Sequence, residues 1–168
     1  EVVEPARRVG RLVLLPHLGI AGFIEQGRGH DDVTLHARLG TPAFEALQQS
    51  AADVRQLSFN MLAQGVGAEQ LTQFISALND ALTRRVIQLN LDNHNFDGIE
   101  WSWLAFGSEG RDEQTFSTDQ DNGIVFACSD PAAADAMRQR FLAFALDVNK
   151  DLDRCGFPLC KGNIMASN

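Results

Sequence analysis

The chain has 168 residues, of which 45% are hydrophobic, and it carries a formal net charge of -8. This length and apolar content are sufficient for one domain with a buried core. The acidic balance argues against nucleic acid as a partner, because binding to phosphates needs clustered lysine and arginine. The apolar runs are too short to cross a bilayer and no signal-peptide pattern opens the chain, so we expect no membrane partner.

Residues 1–40 give weak structural signals. Residues 9–15 are apolar enough to form a strand, but the proline and glycines that follow interrupt any regular element. Three histidines and two aspartates in this stretch match no known ligand spacing, so we interpret them as loop residues. We predict that residues 1–40 are a linker or the edge of a preceding domain, and that residues 41–168 are the main domain.

A helical hairpin is predicted over residues 41–95. Thr41 at the N-cap, Pro42 at the first helical position and Glu45 in the first turn are typical of a helix start. A second helix is predicted over residues 68–91, after the glycines at 65 and 67. Apolar residues recur at helical spacing in both helices: Phe44, Leu47, Ala51, Val54, Leu57, Met61 and Leu62 in the first, and Leu71, Phe74, Ile75, Leu78, Leu82, Val86 and Leu89 in the second.

The rest of the chain, residues 99–168, is predicted to form a sheet core. Short apolar runs at residues 101–106, 124–127 and 157–165 predict three strands. Between the second and third, Ser129 or Asp130 is expected to cap a helix that begins at Pro131 and ends before Gly156. The fold class predicted is therefore α+β, with the leading helical hairpin packed on a small mixed β-sheet.

The cysteine content indicates the redox state of the compartment in which the protein is found. Cys128, Cys155 and Cys160 are odd in number, which favours a reducing compartment, and we expect a cytoplasmic location. Cys155 and Cys160 have no second CxxC pair and no histidine nearby. They are therefore interpreted as packed thiols rather than zinc ligands.

Two aspartates lie at the end of the loop between the first two predicted strands. Asp119 and Asp121 stand at positions i and i+2 where the chain enters a strand, so their side chains should project from one face. Carboxylates held close together repel each other, and a divalent cation is the usual means of keeping both ionised. The pair thus predicts a metal site for Mg²⁺ or Mn²⁺.

The other end of the same loop has groups that suit an anion. Gly107, Ser108 and Gly110 follow a strand, where the backbone amides of glycine-rich segments can approach a phosphate. Arg111 would add a forked cation. Groups for an anion at one end and for a cation at the other match a complex of metal and nucleotide.

Other known loop motifs fit this segment less well. A P-loop requires a lysine that is missing, and an EF-hand that began at Asp119 would find Ile124 and Asp130 where it needs glycine and glutamate. The GSEG tetrad also satisfies the GXXG of KH domains, but Glu109 would oppose an RNA backbone. A purely structural alternative, in which the aspartates cap a turn and Arg111 pairs with one of them, stays open on spacing alone.

Residues 107–122, GSEGRDEQTFSTDQDN, resemble the glycine-serine and paired-aspartate signature of the nucleotidyltransferase superfamily with a polymerase-β-like fold. More closely, they resemble the nucleotidyltransferase domain found beside CBS and cyclic-nucleotide-binding domains in bacterial signalling proteins. That domain is similar to the N-terminal catalytic part of protein-PII uridylyltransferase. The sequence CGFPLCKGNIMASN at residues 155–168 resembles the family's following strand, and residues 41–91 resemble its leading helices.

The resemblance implies a role for each matching residue. Asp119 and Asp121 would be the catalytic, metal-binding aspartates. The residues that would bind the nucleotide are Gly107, Ser108, Gly110, Arg111, Thr118 and Asn122. Families of this type have a third carboxylate on a later strand, yet residues 157–168 contain no acid. Either Asp151 or Asp153 reaches the site, or the third ligand is missing.

The resemblance also implies the activity and the partners. We expect a Mg²⁺-dependent nucleotidyltransferase that transfers a nucleoside monophosphate from an NTP to an acceptor, with a protein as the acceptor. Neighbouring regulatory domains in a longer parent protein are the other expected partners, and the domain is expected to be truncated at its C-terminus. The alternative is a regulatory module that binds a nucleotide with little or no catalysis.

Overall fold

The computed structural model describes residues 11–13 and 42–168. Its elements, in chain order, are β1 (Arg11–Val13), α1 (Pro42–Ala63), α2 (Ala68–Leu91), β2 (Trp101–Ala105), β3 (Asn122–Phe126) and α3 (Ala134–Arg154). Single 3-10 turns at Glu109–Arg111 and Pro131–Ala133 lie in the connections. The described elements are therefore of the α+β class, as predicted.

The helical hairpin is present where the sequence predicts it. α1 and α2 contact each other and are joined by a short turn in which Gly65 has φ +82°, a conformation that favours glycine. The apolar stripe of α2 is largely buried, whereas Leu57 and Leu62 of the predicted α1 stripe are 47% and 49% exposed. Ser58 is buried instead, because the buried face of α1 follows positions 44, 47, 51 and 58. The N-cap assigned to Thr41 lies outside the described residues.

The core lies between the helices and one face of the sheet. Trp103 of β2 is fully buried, and α3 contacts α2 and contributes five buried apolar side chains to the core cluster. Stacked rings link α3 to its neighbours, with Phe141 4.2 Å from Phe96 and 4.8 Å from Phe126 between centroids. Of the two predicted capping residues, Ser129 and Asp130, it is Asp130 that caps the turn before α3. Its side chain accepts a hydrogen bond from the backbone amide of Ala132.

The sheet differs from its prediction in two respects. The described strands are in the order β1-β2-β3 and both pairings are antiparallel, so the sheet they form is not mixed. The predicted third strand at residues 157–165 is wrong, since this segment is irregular. It meets the chain at the start of β3 through two separate backbone hydrogen bonds, from Gln120 N to Pro158 O and from Asn122 N to Ile164 O. Five residues lie between those two acceptors, whereas only Asp121 lies between the two donors, and a turn at residues 161–162 takes up the excess length.

The strand Arg11–Val13 lies within the stretch that the sequence predicts as a possible strand, and it pairs with β2. The rest of residues 1–40, with its histidines and aspartates, lies outside the described residues, so its division from residues 41–168 stays a prediction. Each described helix has too few consecutive apolar residues to serve as a membrane span.

Cys155 is expected to react slowly with alkylating agents in the folded protein. It is 1% exposed, and burial, followed by the charge of Asp151, raises its pKa from 9.0 to about 11. At pH 8 its thiolate fraction should be roughly one hundredth of that of an ordinary thiol, and the thiolate is the nucleophile. Mass-spectrometric alkylation rates in native buffer and in urea should differ by about this factor or more. Equal rates in the two states would contradict the buried position of Cys155.

Candidate active site

The antiparallel pair β2-β3 brings the two ends of the central loop together. Ala105, the last residue of β2, is the register partner of Asn122, the first residue of β3. One residue further into the loop on each side, Phe106 N donates to Asp121 O at 2.8 Å. The glycine turn that begins at Gly107 therefore lies directly beside the aspartates that precede β3.

Gly107 and Asp121 are in close contact. Gly107 has φ +56°, and a Cβ at this position would lie only 2.2 Å from Oδ2 of Asp121. No real Cβ approaches an oxygen so closely, so the carboxylate occupies space that only glycine leaves free. The structure thus places a predicted phosphate-binding turn and a predicted metal-binding carboxylate against each other.

The chain from Thr118 to Asn122 alternates between inward and outward positions. Thr118, Gln120 and Asn122 are 8%, 3% and 3% exposed, whereas Asp119 is exposed and Asp121 is half-buried. In an extended chain, residues two apart point to the same side. Asp119 and Asp121 therefore share the outward side of this segment, although β3 begins only after them.

Neither aspartate takes part in an ion pair with the described part of the chain. Arg111 pairs instead with Glu113, at 2.8 Å between Nε and Oε2, and both side chains are more than half exposed. The structural alternative in which Arg111 neutralises one of the aspartates is therefore wrong. Oδ1 of Asp121 accepts a hydrogen bond from Sγ of Cys160 at 3.2 Å, which fixes the carboxylate from the side of the irregular C-terminal segment.

The turn after Gly107 is closed by its own backbone. Gly110 N donates to Phe106 O at 2.9 Å, and the amides of Arg111 and Glu113 donate to Ser108 O. The backbone amide of Gly110 is thus already used within the turn, and Gly110 itself is buried. Among these residues, Ser108 and Arg111 present side chains that could meet an anion, and Arg111 would have to leave Glu113 to do so.

Two residues assigned to nucleotide binding have side chains that point into the protein. Thr118 Oγ1 donates to Thr115 O and accepts from Thr115 N, both at 3.2 Å. Asn122 Oδ1 accepts from Ala166 N at 2.9 Å and from Asn149 Nδ2 at 3.1 Å. Both side chains hold the loop in shape, and a direct contact with a nucleotide stays a prediction for each of them.

Gln120, Asn149 and Cys160 support the site and were missed from the sequence. Gln120 Nε2 donates to the carbonyl oxygens of Asn149 and Phe157, and Asn149 Nδ2 donates back to Gln120 Oε1 at 2.7 Å. These bonds tie the aspartate segment to α3 and to the C-terminal segment. The one sequence signal was the unbroken polar run TDQDN, in which alternate residues of an extended chain must point inward.

The third carboxylate considered from the sequence is not supplied by α3. Asp151 accepts from Asn90 Nδ2 at 3.0 Å and pairs with Arg154 at 3.5 Å, and Asp153 is exposed. Within residues 42–168 and the strand 11–13, no three side chains of His, Cys, Asp or Glu are grouped so that they could hold a metal ion. The described site has two carboxylates.

An α+β domain in which a glycine-serine turn adjoins two outward aspartates is compatible with a nucleotidyltransferase-like domain. Residues 52–168 match the model of the family described as "Putative nucleotidyltransferase DUF294". Since the match covers more than two thirds of the 168-residue chain, the chain belongs to this nucleotidyltransferase family. No curated protein and no solved structure matches the chain.

Proposed function

We propose that this domain is a metal-dependent nucleotidyltransferase that transfers a nucleoside monophosphate from an NTP to an acceptor. The single observation that carries the proposal is the contact between the Gly107 turn and the carboxylate of Asp121, with Asp119 on the same outward side. This arrangement offers a place for a metal ion next to a place for phosphates. The family match supports the transferase class.

The donor set fits Mg²⁺ or Mn²⁺. Mg²⁺ is commonly held by one or two carboxylates, with water and substrate phosphates in its other octahedral positions. Asp119 and Asp121 supply two carboxylates that no described cation neutralises. They would hold the ion, which when bound neutralises the negative charge that develops on the phosphates during transfer.

The chain's own groups have separate tasks in this proposal. Gly107 and Ser108 receive the triphosphate beside the aspartates, and Arg111 exchanges Glu113 for a phosphate oxygen. Asp121 is held in place by Cys160 and by the contact with Gly107, so its orientation is set before the substrate arrives. Gln120 and Asn122 keep the segment extended from the inside.

Substitution of Cys160 tests how far this support matters. Cys160→Ala removes the donor to Asp121 Oδ1 and should weaken Mn²⁺ binding roughly tenfold, as is usual when a group that orients a metal ligand is lost. Cys160→Ser keeps a donor and should bind Mn²⁺ almost as the unmodified protein does. Calorimetric titration with MnCl₂ in the presence of an NTP measures both. Identical affinities for the alanine variant and the unmodified protein would show that Cys160 does not position Asp121.

The cellular setting is proposed from the resemblance. We propose that the acceptor is a protein, as for protein-PII uridylyltransferase, and that neighbouring regulatory domains control the transfer in bacterial signalling. The overall architecture would be the polymerase-β-like nucleotidyltransferase fold. Cys128, Cys155 and Cys160 are all unpaired thiols, which accords with a reducing compartment, and we propose a cytoplasmic location.

A second function is favoured by one observation. Because the described residues lack a group of three metal-binding side chains, the domain could retain nucleotide binding and lose turnover. It would then act as a regulatory module that reports nucleotide levels to its neighbours.

Two measurements in sequence separate these functions. Calorimetry with Mg²⁺ and each of the common NTPs identifies the nucleotide, and a pyrophosphate-release assay with that NTP then tests turnover. Release of pyrophosphate supports the transferase, whereas saturable binding without release supports the regulatory module. An absence of heat with every NTP would overturn both.

A further inference from the structure

A second pocket lies on the inward side of the central loop, between that loop, the facing helices α1 and α2, and the chain just after α3. Its cavity volume is about 20 Å³, so it is small and suits a ligand of a few atoms. Its polar wall is formed by Arg55, Ser58, Asn79, Thr115 and Thr118. Since Thr118 points inward whereas Asp119 and Asp121 point outward, this pocket lies on the opposite side of the segment from the proposed metal site.

Arg55 gives the pocket a positive charge that is not neutralised. Its Nη1 donates to the carbonyl oxygen of Cys155 at 3.0 Å, and no described carboxylate lies within 4.0 Å of its guanidinium. The pocket lining contains no Asp or Glu. Gly156, with φ +93°, makes room for the guanidinium, because a Cβ there would lie 2.4 Å from Nη1. The remaining donors of Arg55 are therefore available to a ligand.

Asn79 provides a second, independent observation. Its side chain lies in the wall of the same pocket and is only 6% exposed. Its side-chain amide forms no hydrogen bond with another group of residues 42–168 and can be reached from the pocket. Buried polar groups are normally hydrogen-bonded, so an unpartnered amide in a pocket wall points to a ligand.

We propose that this pocket binds a small oxyanion, either a phosphate or a carboxylate group. The fork of Arg55 suits either group, and the Asn79 amide and the Thr115 hydroxyl are neutral groups able to donate hydrogen bonds. The hydroxyls of Ser58 and Thr118 already donate to Val54 O and Thr115 O. The site is distinct from the proposed NTP site and does not depend on the proposed function. Because Thr115 and Thr118 belong to the loop that carries the aspartates, an oxyanion held there would contact that loop directly.

The test is calorimetric titration of the 168-residue chain with sodium phosphate and with sodium acetate, each against sodium chloride at equal ionic strength and without divalent metal. We expect saturable binding of at least one of the two oxyanions. Arg55→Gln should weaken that binding roughly tenfold or more, because a charge-assisted hydrogen bond is lost. Arg84→Gln removes an exposed arginine of α2 that does not line the pocket, and it should leave the binding unchanged.

Two further variants make the result decisive. Asn79→Asp hardly changes the side-chain volume but puts a negative charge in the pocket, so it should abolish binding even if Arg55→Gln fails to fold. Asp119→Asn should bind the oxyanion as the unmodified protein does, which separates this site from the metal site. Preference for phosphate or for acetate identifies the ligand class. Binding of neither oxyanion, or undiminished binding in Asn79→Asp, would overturn the proposal.

Discussion

Asp119→Asn or Asp121→Asn is expected to lower the rate of nucleotidyl transfer on the order of 10²-fold or more. Each change replaces a carboxylate of the proposed metal pair by a neutral amide and leaves the size of the side chain unchanged. Asn at position 121 still presents an oxygen to Cys160, so the local hydrogen bond can persist. The loss should therefore appear in activity and metal affinity rather than in the melting temperature.

The matched control for these variants is Asp135→Asn. Asp135 is an exposed carboxylate in the first turn of α3, outside the central loop, and its loss should leave the rate unchanged. Transfer is measured as NTP-dependent labelling of the acceptor by the full-length parent protein. If Asp119→Asn labels the acceptor as fast as the unmodified protein does, the catalytic role of the pair is wrong.

Gly107→Ala should have the next largest effect. At φ +56° an alanine costs about 1 to 2 kcal/mol of backbone strain, and its Cβ would also collide with Asp121 Oδ2. Since the carboxylate must move away, we expect metal affinity to fall and the transfer rate to drop on the order of 10²-fold. Calorimetry with Mn²⁺ and the labelling assay report the two effects separately.

Gly65→Ala separates backbone strain from displacement of the carboxylate. Gly65 also has a positive φ, +82°, but no atom lies within 4 Å of the position its Cβ would take. Gly65→Ala should lower the free energy of unfolding by about 1 to 2 kcal/mol, as Gly107→Ala does, and leave transfer unaffected. A Gly107→Ala protein that is destabilised like Gly65→Ala yet fully active would show that the contact with Asp121 has no part in catalysis.

The helices and the two central strands can be predicted from the sequence because their signals are local. The Gly65 turn, the apolar stripe of α2, and the Asp130 cap with Pro131 each follow from the preferences of a few neighbouring residues. The place where β2 and β3 meet can be anticipated too, since two short strands joined by one loop usually pair. That pairing is what brings Gly107 beside Asp121.

The rest depends on long-range contacts that local patterns do not encode. Residues 157–165 are apolar enough for a strand, but they form only two backbone–backbone hydrogen bonds with the aspartate segment, at Pro158 and Ile164. Likewise, nothing in the run TDQDN indicates that Gln120 and Asn122 bond to α3 and to the C-terminal segment. Several carboxylates lie near Arg111 in the sequence, and spacing alone does not predict that it pairs with Glu113.

A crystal structure of the protein with Mg²⁺ and a non-hydrolysable NTP is the most direct test of the proposed site. We expect one Mg²⁺ at about 2.1 Å from an oxygen of Asp119 and from an oxygen of Asp121, with the remaining positions filled by water and triphosphate oxygens. The β- and γ-phosphates should lie against Gly107 and Ser108. A triphosphate bound elsewhere, or a metal ion that touches neither aspartate, would contradict the assignment.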